Sequence, residues 1–325
     1  MTAAAPARAR APGAWTALRA TKVALPVAAL VLVPLLADSP FVTRVFVSAL
    51  MFGILGAIYD LMLGYAGLIN FGFGGFLAVG AYASALASVH YGISPWLGLG
   101  IGGLATAFVG LFTGVITLRL KGLYLALMTF FVGEAIRSTI ANTPETTRGV
   151  LGLAVEPFPD LLGIGFGRDD PLAYYYLLLV LGALIMLAMV LLVRSRYGLA
   201  FKAIREDQLA AESLAIDATR YKLVNFTVAS FLTGVVGAFY GHYLGILTPT
   251  PEEFGVPRTV EVLIVTYVGG RGTLWGSLFA GFLLIGFQEY FRSLGAWRLV
   301  LFGLLLIGVM LFARKGLSGL KKYVW

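Results

Sequence analysis

Few side chains in this sequence are of a type and at a spacing that would support catalysis. The 325-residue chain has no cysteine, and its two histidines, His90 and His242, lie far apart in sequence. Without cysteine, thiolate nucleophiles, disulfides and thiolate metal ligands are excluded. The sequence also lacks HExxH, GxSxG and a GxxxxGK[ST] phosphate loop, which are the motifs of zinc proteases, α/β-hydrolases and P-loop ATPases. We therefore predict no catalytic residue and no metal site.

Charged residues inside apolar runs are the remaining candidates, here for proton or ion movement. Glu134 and Arg137 are three residues apart on one predicted helix, so they can pair. We interpret them as a structural ion pair near the outer end of that helix. Asp60 lies near the inner end of its run, and Glu261 and Glu289 lie toward the outside of theirs. These residues do not form the linked series of acids and histidines that a proton relay requires.

The elements that carry these charges are membrane helices. The chain is 59% apolar and only 12% charged, with a mean hydropathy of +0.89, whereas a soluble domain is about 25% charged. Soluble packing cannot hide this much apolar surface, so the sequence predicts an all-α polytopic membrane protein. No polar stretch is long enough for a separate globular domain.

Apolar runs mark the membrane segments. Ten are visible, at residues 23–37, 41–63, 66–89, 96–118, 123–140, 173–193, 223–247, 260–270, 275–291 and 297–313. Several are shorter than the roughly 20 residues that a spanning helix needs, so we expect about eight to ten transmembrane helices, some short or broken. The first run follows Arg and Lys as a signal peptide would, but the poor cleavage site after Ala37 favours a retained helix.

Charge placement predicts the sidedness. If the N-terminus lies inside and the segments alternate, 17 of the 24 Lys and Arg side chains fall on the inner side. The outer loops are acidic by contrast. This positive-inside bias places both termini and residues 194–222 in the cytoplasm and residues 141–172 outside. It also explains the net charge of +8 without nucleic-acid binding.

The domain organisation follows from these runs. We expect a disordered cytoplasmic tail at residues 1–22, a single transmembrane domain at 23–315 and a cytoplasmic tail at 316–325. Within the domain, residues 64–82 are dense in glycine. Glycine there permits either close helix packing or a broken helix that lines a polar path, and Asn70 favours the path because a buried amide needs partners. A second glycine-rich stretch, 269–276, predicts a tight turn or a re-entrant bend.

Residues 194–222 form a polar island between two apolar runs. They hold six of the 24 Lys and Arg and four of the 16 Asp and Glu side chains. Asp207 is a candidate N-cap for a short helix over 208–216, on which Ala211 and Ala215 form a small-residue face. Leu209 and Ile216 are candidate knobs for a partner's pocket. Two interpretations stay open, namely docking on a partner and a solvated loop resting on its own domain.

Several stretches resemble the inner-membrane permeases of branched-chain (Leu/Ile/Val) amino acid ABC transporters. The resemblance covers about residues 61–315 and is carried by 64–87, 118–137, 201–245 and 269–281. Its most specific part, AIREDQLAAESLAID, is similar to the cytoplasmic loop that docks on the ATP-binding subunits in that family. The resemblance implies a permease in the plasma (inner) membrane of a prokaryote, embedded in the lipid bilayer.

The resemblance also implies a division of labour among partners. An extracytoplasmic solute-binding protein delivers the substrate, a second homologous permease chain completes the pathway, and two ATP-binding subunits hold ATP and Mg. This chain then binds no cofactor itself. The implied ATPase contact consists of Arg205, Glu206, Asp207, Ala211 and Glu212. The implied pathway residues are Gly64, Gly67, Asn70, Gly72, Gly74 and Gly75.

The sequence departs from the family pattern at a few positions. Ala215 replaces the usual glycine after the AAESL motif; because alanine suits a helical backbone, we expect the coupling helix to persist and to extend by a residue or two. Arg148 and Arg271 interrupt two family motifs and weaken the inference about cargo. Urea or short amides are therefore alternative substrates. An ion-coupled secondary transporter and a passive channel are alternative classes, and ATP dependence separates both from an ABC importer.

Overall fold

The computed structural model describes residues 30, 39–120, 122–161, 163, 165–167 and 171–295, and positions 297, 300, 301, 303, 304, 307 and 308. Both predicted tails, nearly all of the predicted segment 23–37 and much of 297–313 lie outside these residues.

Helices make up nearly all of the described chain. In chain order they are α1 Pro40–Asp60, α2 Phe73–Tyr91, α3 Pro95–Thr117, α4 Leu123–Ala141, α5 Pro144–Thr147, α6 Pro171–Arg194, α7 Arg196–Glu206, α8 Gln208–Ser213, α9 Ala218–Leu244, α10 Pro251–Phe254, α11 Val256–Gly269 and α12 Trp275–Tyr290. Leu61–Tyr65 continues α1 as a π-helical turn, here called the π-turn, and Gly149–Leu151 and Arg292–Leu294 are 3₁₀ turns. Strands β1 (Leu153–Ala154) and β2 (Ile246–Leu247) pair antiparallel.

The predicted class, an all-α polytopic membrane protein, is confirmed. Among the described residues, six helices are long and apolar enough to cross a membrane: α1 with the π-turn, α2, α3, α4, α6 and α9. Helices α11 and α12 have 14 and 16 residues. Both are shorter than the roughly 20 residues of a full span, as the sequence predicts for short or broken helices.

The start of α2 corrects the sequence-based boundary. The apolar run begins at residue 66, but the helix begins only at Phe73. Gly67 has a φ of +69°, a left-handed conformation that glycine adopts without steric cost, and residues 67–70 have no regular structure. An apolar sequence alone cannot show this break, since hydropathy continues through it.

Glycine permits the closest helix contacts in the core. Helix α9 packs on α2 and α3, and buried side chains line most of its length. A Cβ at Gly80 would overlap the backbone of Gly234, and one at Gly237 would overlap the carbonyl of Leu77. Small residues at these crossings let the helix backbones approach, which is the main source of packing energy between helices in lipid.

The segments that connect the helices lie at the two ends of the helix bundle. At one end the Trp96 indole donates to the Pro159 carbonyl at 3.3 Å, and His242 Nδ1 lies 2.7 Å from the Glu156 carbonyl. At the other end lie α7 and α8, which follow the 24-residue helix α6. Residues 141–172 and 194–222 therefore lie at opposite ends of α6, as the alternating topology requires. The assignment of the cytoplasm to the α7–α8 end stays a prediction.

Candidate functional site

The polar island folds into two short helices that side chains cap. Ser195 Oγ accepts a hydrogen bond from the Tyr197 amide at 3.1 Å and begins α7. Asp207 Oδ1 accepts from the amides of Leu209 at 2.9 Å and Ala210 at 3.1 Å, and so begins α8. The sequence predicts this second cap correctly, because an aspartate before a run of helix formers supplies the acceptor that free N–H groups require.

The end of α8 corrects the expectation for Ala215. This residue has a φ of +59°, and α8 stops at Ser213 rather than extending. The Ile216 amide donates to the Ala211 carbonyl at 3.2 Å and the Ala215 amide to the Glu212 carbonyl at 3.0 Å. These two bonds form a Schellman motif, which places its C′ residue in the left-handed region. Alanine therefore occupies a position that glycine would fill with less strain.

A small internal cluster buries two residues of the predicted partner surface. Ala211 is only 2% exposed and packs with Ile204 and Ala218, and Ile216 is partly buried against the same cluster. Ala211 was predicted to lie at the ATPase contact and Ile216 to be a knob for a partner. In this structure both residues hold α8 onto its own domain, because the Schellman turn folds Ile216 back over Ala211. A role for either residue at a partner contact stays a prediction.

Helix α8 and the residues on either side of it carry exposed leucines among charges, here called the outward face of α8. Leu209 is 69% exposed and Leu214 is 77% exposed. Glu206 and Glu212 are exposed beside them, and Glu212 accepts a hydrogen bond from Gln208 Nε2 at 2.7 Å. This face has the composition of a docking site, with apolar anchors surrounded by charges.

Arg205 is directed differently from its neighbours on the polar island. Its guanidinium donates to the carbonyl of Gly64 in the π-turn and contacts Glu206. Of the five residues predicted at the ATPase contact, three are exposed, Ala211 is buried, and Arg205 reaches the membrane domain. The glycine-rich stretch and the polar island, which the sequence presents separately, meet at this hydrogen bond.

The turn between α11 and α12 is held by Asp60. Asp60 is fully buried, and its carboxyl oxygens accept from the amides of Gly272 at 2.7 Å, Thr273 at 2.9 Å and Leu274 at 3.0 Å. The second glycine-rich stretch is therefore a tight turn, one of the two predicted forms. All three amides belong to the turn that leads into α12, so Asp60 anchors that turn to the end of α1.

The backbone amides at the start of α2 are satisfied by side chains. Two of the acceptors come from distant helices: Thr129 Oγ1 on α4 accepts from Phe71 at 3.1 Å, and Thr259 Oγ1 on α11 accepts from Gly74 at 2.9 Å. Asn70 Oδ1 accepts from the Gly72 amide at 2.9 Å. A helix that begins at membrane depth needs such partners because lipid offers none.

The glycines of this segment pack against neighbouring backbone. A Cβ at Gly72 would overlap the carbonyl of Thr129, and one at Gly75 would lie 2.7 Å from the Gly133 Cα. A Cβ at Gly74 would lie 2.5 Å from the Gly255 carbonyl oxygen. Close packing, one of the two interpretations, therefore holds in this conformation. A role in the pathway stays a prediction.

Two polar atoms lie buried near this segment without a partner among the described residues. They are the Nδ2 of Asn70 and the hydroxyl of Tyr82, whose ring lies 6.0 Å from that of Phe254. Unsatisfied buried polar groups are rare and costly. Asn70 lies in the break before α2 and Tyr82 in the middle of α2. These two unsatisfied atoms are the feature of this segment that points beyond packing.

Residues 251–255, which connect β2 to α11, reach into the helix bundle. Phe254 contacts Tyr82, in the middle of α2, and Gly255 contacts Gly74 near its start. Helix α11 starts from this depth, and its 14 residues rise about 21 Å, less than the roughly 30 Å hydrocarbon core. The chain therefore re-enters here, a feature that the sequence analysis did not predict.

Arg258 is a residue that the sequence analysis missed. It donates to Glu253 at 2.7 Å and Glu261 at 3.3 Å, and its guanidinium lies 4.9 Å from the centre of the Phe52 ring. The i, i+3 spacing of Arg258 and Glu261 was the signal in the sequence that could have found this residue.

Glu134 and Arg137 also pair, with Arg137 Nε to Glu134 Oε1 at 2.9 Å, and Arg137 donates to the Pro249 carbonyl at 3.0 Å. This pair ties α4 to the loop after β2.

These geometries suit mechanical coupling rather than bond chemistry. Among the described residues, no group of three or more Asp, Glu or His side chains is arranged to hold a metal. The polar contacts join loops to helix ends: Asp60 to a turn, Arg205 to the π-turn and Arg137 to the loop after β2. Such contacts can transmit or restrain helix movement.

Comparison with known proteins identifies related chains. A family model described as branched-chain amino acid transport system, permease component, matches residues 41–313. The high-affinity branched-chain amino acid transport system permease protein LivM of Salmonella typhimurium is 32% identical over 285 residues, which is 81% of this chain and 67% of LivM. LivM of Escherichia coli is also 32% identical over 285 residues, with the same coverage of 81% and 67%.

More distant relatives carry other names. The fructose import permease protein FrcC of Rhizobium meliloti is 25% identical over 267 residues, which is 78% of this chain and 72% of FrcC. No solved structure matches the chain.

Proposed function

The chain belongs to the branched-chain amino acid transport permease family, and on that premise we propose that it imports leucine, isoleucine, valine or closely related amino acids. It is a multi-pass membrane protein and a permease component of an ABC transport system. The identity to the two LivM proteins supports this cargo over the fructose of the more distant FrcC. Urea and short amides stay the alternative substrates.

Two ATP-binding subunits dock on the outward face of α8 in this proposal. The observation that carries it is a pair of exposed leucines: Leu209 lies on the helix that Asp207 caps, and Leu214 directly follows that helix. Glu206 and Glu212 supply charged contacts around these anchors. ATP and Mg are bound by the partner subunits, and this chain contributes no ATPase chemistry. A second homologous permease and an extracytoplasmic binding protein complete the complex.

The pathway in this proposal follows the seam where the start of α2 meets α4 and α11. Small residues along the seam allow the helices to move apart, and the unpartnered Asn70 Nδ2 and Tyr82 hydroxyl would then face the passing solute. Discontinuous helices at membrane depth are a common basis of transport sites. The residues assigned to the pathway are Gly64, Gly67, Asn70, Gly72, Gly74 and Gly75.

The contacts of Asp60 weigh against the ion-coupled alternative. A secondary transporter would need an intramembrane acid to bind its coupling ion. Asp60 is the fully buried acid of the described chain, and both of its carboxyl oxygens already accept backbone hydrogen bonds. This arrangement is typical of a structural anchor.

Reconstituted uptake tests the proposal. The complex is purified through a tag on this chain, its partners are identified by mass spectrometry, and it is placed in liposomes with or without internal ATP. We expect uptake of radiolabelled leucine, isoleucine or valine only with ATP and the binding protein. A hydrolysis-deficient ATP-binding subunit is the matched control. Uptake that follows an ion gradient without ATP would contradict the proposal.

A further inference from the structure

The π-turn has two backbone carbonyl groups that accept hydrogen bonds from side chains of other helices. A π-helical turn shifts the usual i, i+4 hydrogen bonds and often marks a functional position. The carbonyl of Leu61 accepts from Asn225 Nδ2 on α9 at 2.9 Å, and the carbonyl of Gly64 accepts from the Arg205 guanidinium. The turn is therefore held by contacts that can be made or broken without unfolding a helix.

Helix α7 contacts the π-turn region through two cations. Lys202 Nζ lies 5.5 Å from the centre of the Tyr65 ring, and Arg205 lies one helical turn further along α7. The stem of Arg205 also lies against Gly67, where a Cβ would be 3.3 Å from the Arg205 Cγ. The polar island thus contacts the chain on both sides of Ala66, the residue that follows the π-turn.

The other side of the π-turn contacts two helix starts. Asp60, the residue before the turn, anchors the amides that lead into α12. The hydroxyl of Tyr59 accepts from the Asn70 amide at 3.3 Å, just before α2. Gly64 fits between Asp60 and Gly272, because a Cβ there would overlap the Asp60 carboxyl and the Gly272 amide. A shift of the π-turn must therefore move the entries to α2 and α12.

We propose that Arg205 and the π-turn form the transmission element of the transporter. Arg205 links the movement of α7 and α8 to Gly64, and the π-turn passes that movement to the starts of α2 and α12. Arg205 is a positioning residue that does not contact the cargo. The proposal rests on the proposed function, since it assigns the route by which ATPase movement enters the membrane domain. Docking residues on α8 and the transmission residue on α7 then have separable effects.

The test measures uptake and ATP hydrolysis together in the reconstituted complex. Arg205→Ala is compared with wild type and with Arg220→Ala, which removes an exposed cation of the same loop. We expect Arg205→Ala to retain the ATP-binding subunits but to lower uptake per ATP hydrolysed roughly tenfold, the loss expected for one charge-assisted hydrogen bond. Arg205→Lys should recover part of the ratio of uptake to ATP hydrolysis, because lysine keeps a hydrogen-bond donor. Arg220→Ala should leave that ratio unchanged.

The outcomes separate this proposal from the proposed function. If the wild-type complex shows no ATP-dependent uptake, both the proposed function and the transmission role are overturned. Normal wild-type uptake together with an unchanged ratio in Arg205→Ala would overturn only the transmission role. Loss of the ATP-binding subunits from Arg205→Ala would also overturn it, since Arg205 would then be a docking residue. If Arg205→Ala does not accumulate, Arg205→Gln, which keeps the stem against Gly67, is assayed against the same criterion.

Discussion

The amide of Ile216 donates to the carbonyl of Ala211 at 3.2 Å, and this bond holds Ala215 at a φ of +59°. Alanine pays a steric cost of about 1–2 kcal/mol in this conformation, and glycine does not. We predict that Ala215→Gly stabilises the α8 region by roughly 0.5–1 kcal/mol, after the extra chain entropy of glycine is subtracted. Hydrogen exchange of the α8 amides in the purified protein measures the change.

Ala210→Gly is the matched control for that change. Ala210 is exposed within α8, where glycine costs about 1 kcal/mol relative to alanine. The two substitutions should therefore have opposite signs. Faster exchange in both variants would show that Ala215 is not strained.

A second prediction concerns the buried carboxyl group of Asp60. Asp60→Ala removes the acceptor for three amides of the turn before α12, and each unsatisfied buried group costs about 1–3 kcal/mol. We expect a clear fall in melting temperature and in membrane yield. Asp60→Asn keeps one carbonyl oxygen and should lie between Ala and wild type. Glu289→Ala is the control, because it breaks the surface pair with Arg292 and should change the free energy of unfolding by less than about 1 kcal/mol. Equal effects of the Asp60 and Glu289 substitutions would exclude the anchor role of Asp60.

The seam between α2 and α4 gives a third prediction. A Cβ at Gly133 would lie 2.5 Å from the Gly72 Cα, so Gly133→Ala must push the two helices apart. Overpacking of this kind costs about 1–3 kcal/mol. Gly286→Ala on α12 meets nothing within 4 Å and should not destabilise the protein, because alanine is favoured over glycine within a helix. Thermal unfolding in detergent compares the two, and equal melting temperatures would mean that the seam is loosely packed.

Sidedness can be tested by labelling, because the chain has no native cysteine. Single cysteines replace Ser213 on α8 and Glu156 in the loop after β1; both positions are exposed. A membrane-impermeant maleimide should label Glu156→Cys in intact cells and Ser213→Cys only after permeabilisation. Labelling of both from the same side would contradict the topology.

Sequence reasoning succeeded where local chemistry determines the structure. The membrane helices follow from apolar runs, and the start of α8 follows from Asp207 because a cap needs only its own next turn. Sequence reasoning failed where contacts between residues far apart in the chain determine the structure. The break before Phe73 lies inside an apolar run, and Thr129 and Thr259, which satisfy its amides, lie on other helices.

The polar island shows the same division between features set by local sequence and features set by distant contacts. Composition made the polar island a candidate docking element, but it did not show that Ala211 faces inward or that Arg205 reaches Gly64. Ala215 was expected to continue the helix from its propensity, yet packing of Ile216 on the Ala211 cluster ends it. Tertiary contacts override a propensity difference of about 1 kcal/mol.

The docking face of α8 is tested most directly by Glu212→Arg and Leu209→Asp. Both replace exposed groups on α8, so the membrane domain should fold and melt as in wild type. Leu151→Asp, at an 84% exposed leucine of the opposite end, is the matched control. The measurement is the amount of ATP-binding subunit that co-purifies with each tagged variant. We predict wild-type recovery with Leu151→Asp and loss of the subunits with both α8 variants; full recovery with the α8 variants would contradict the account.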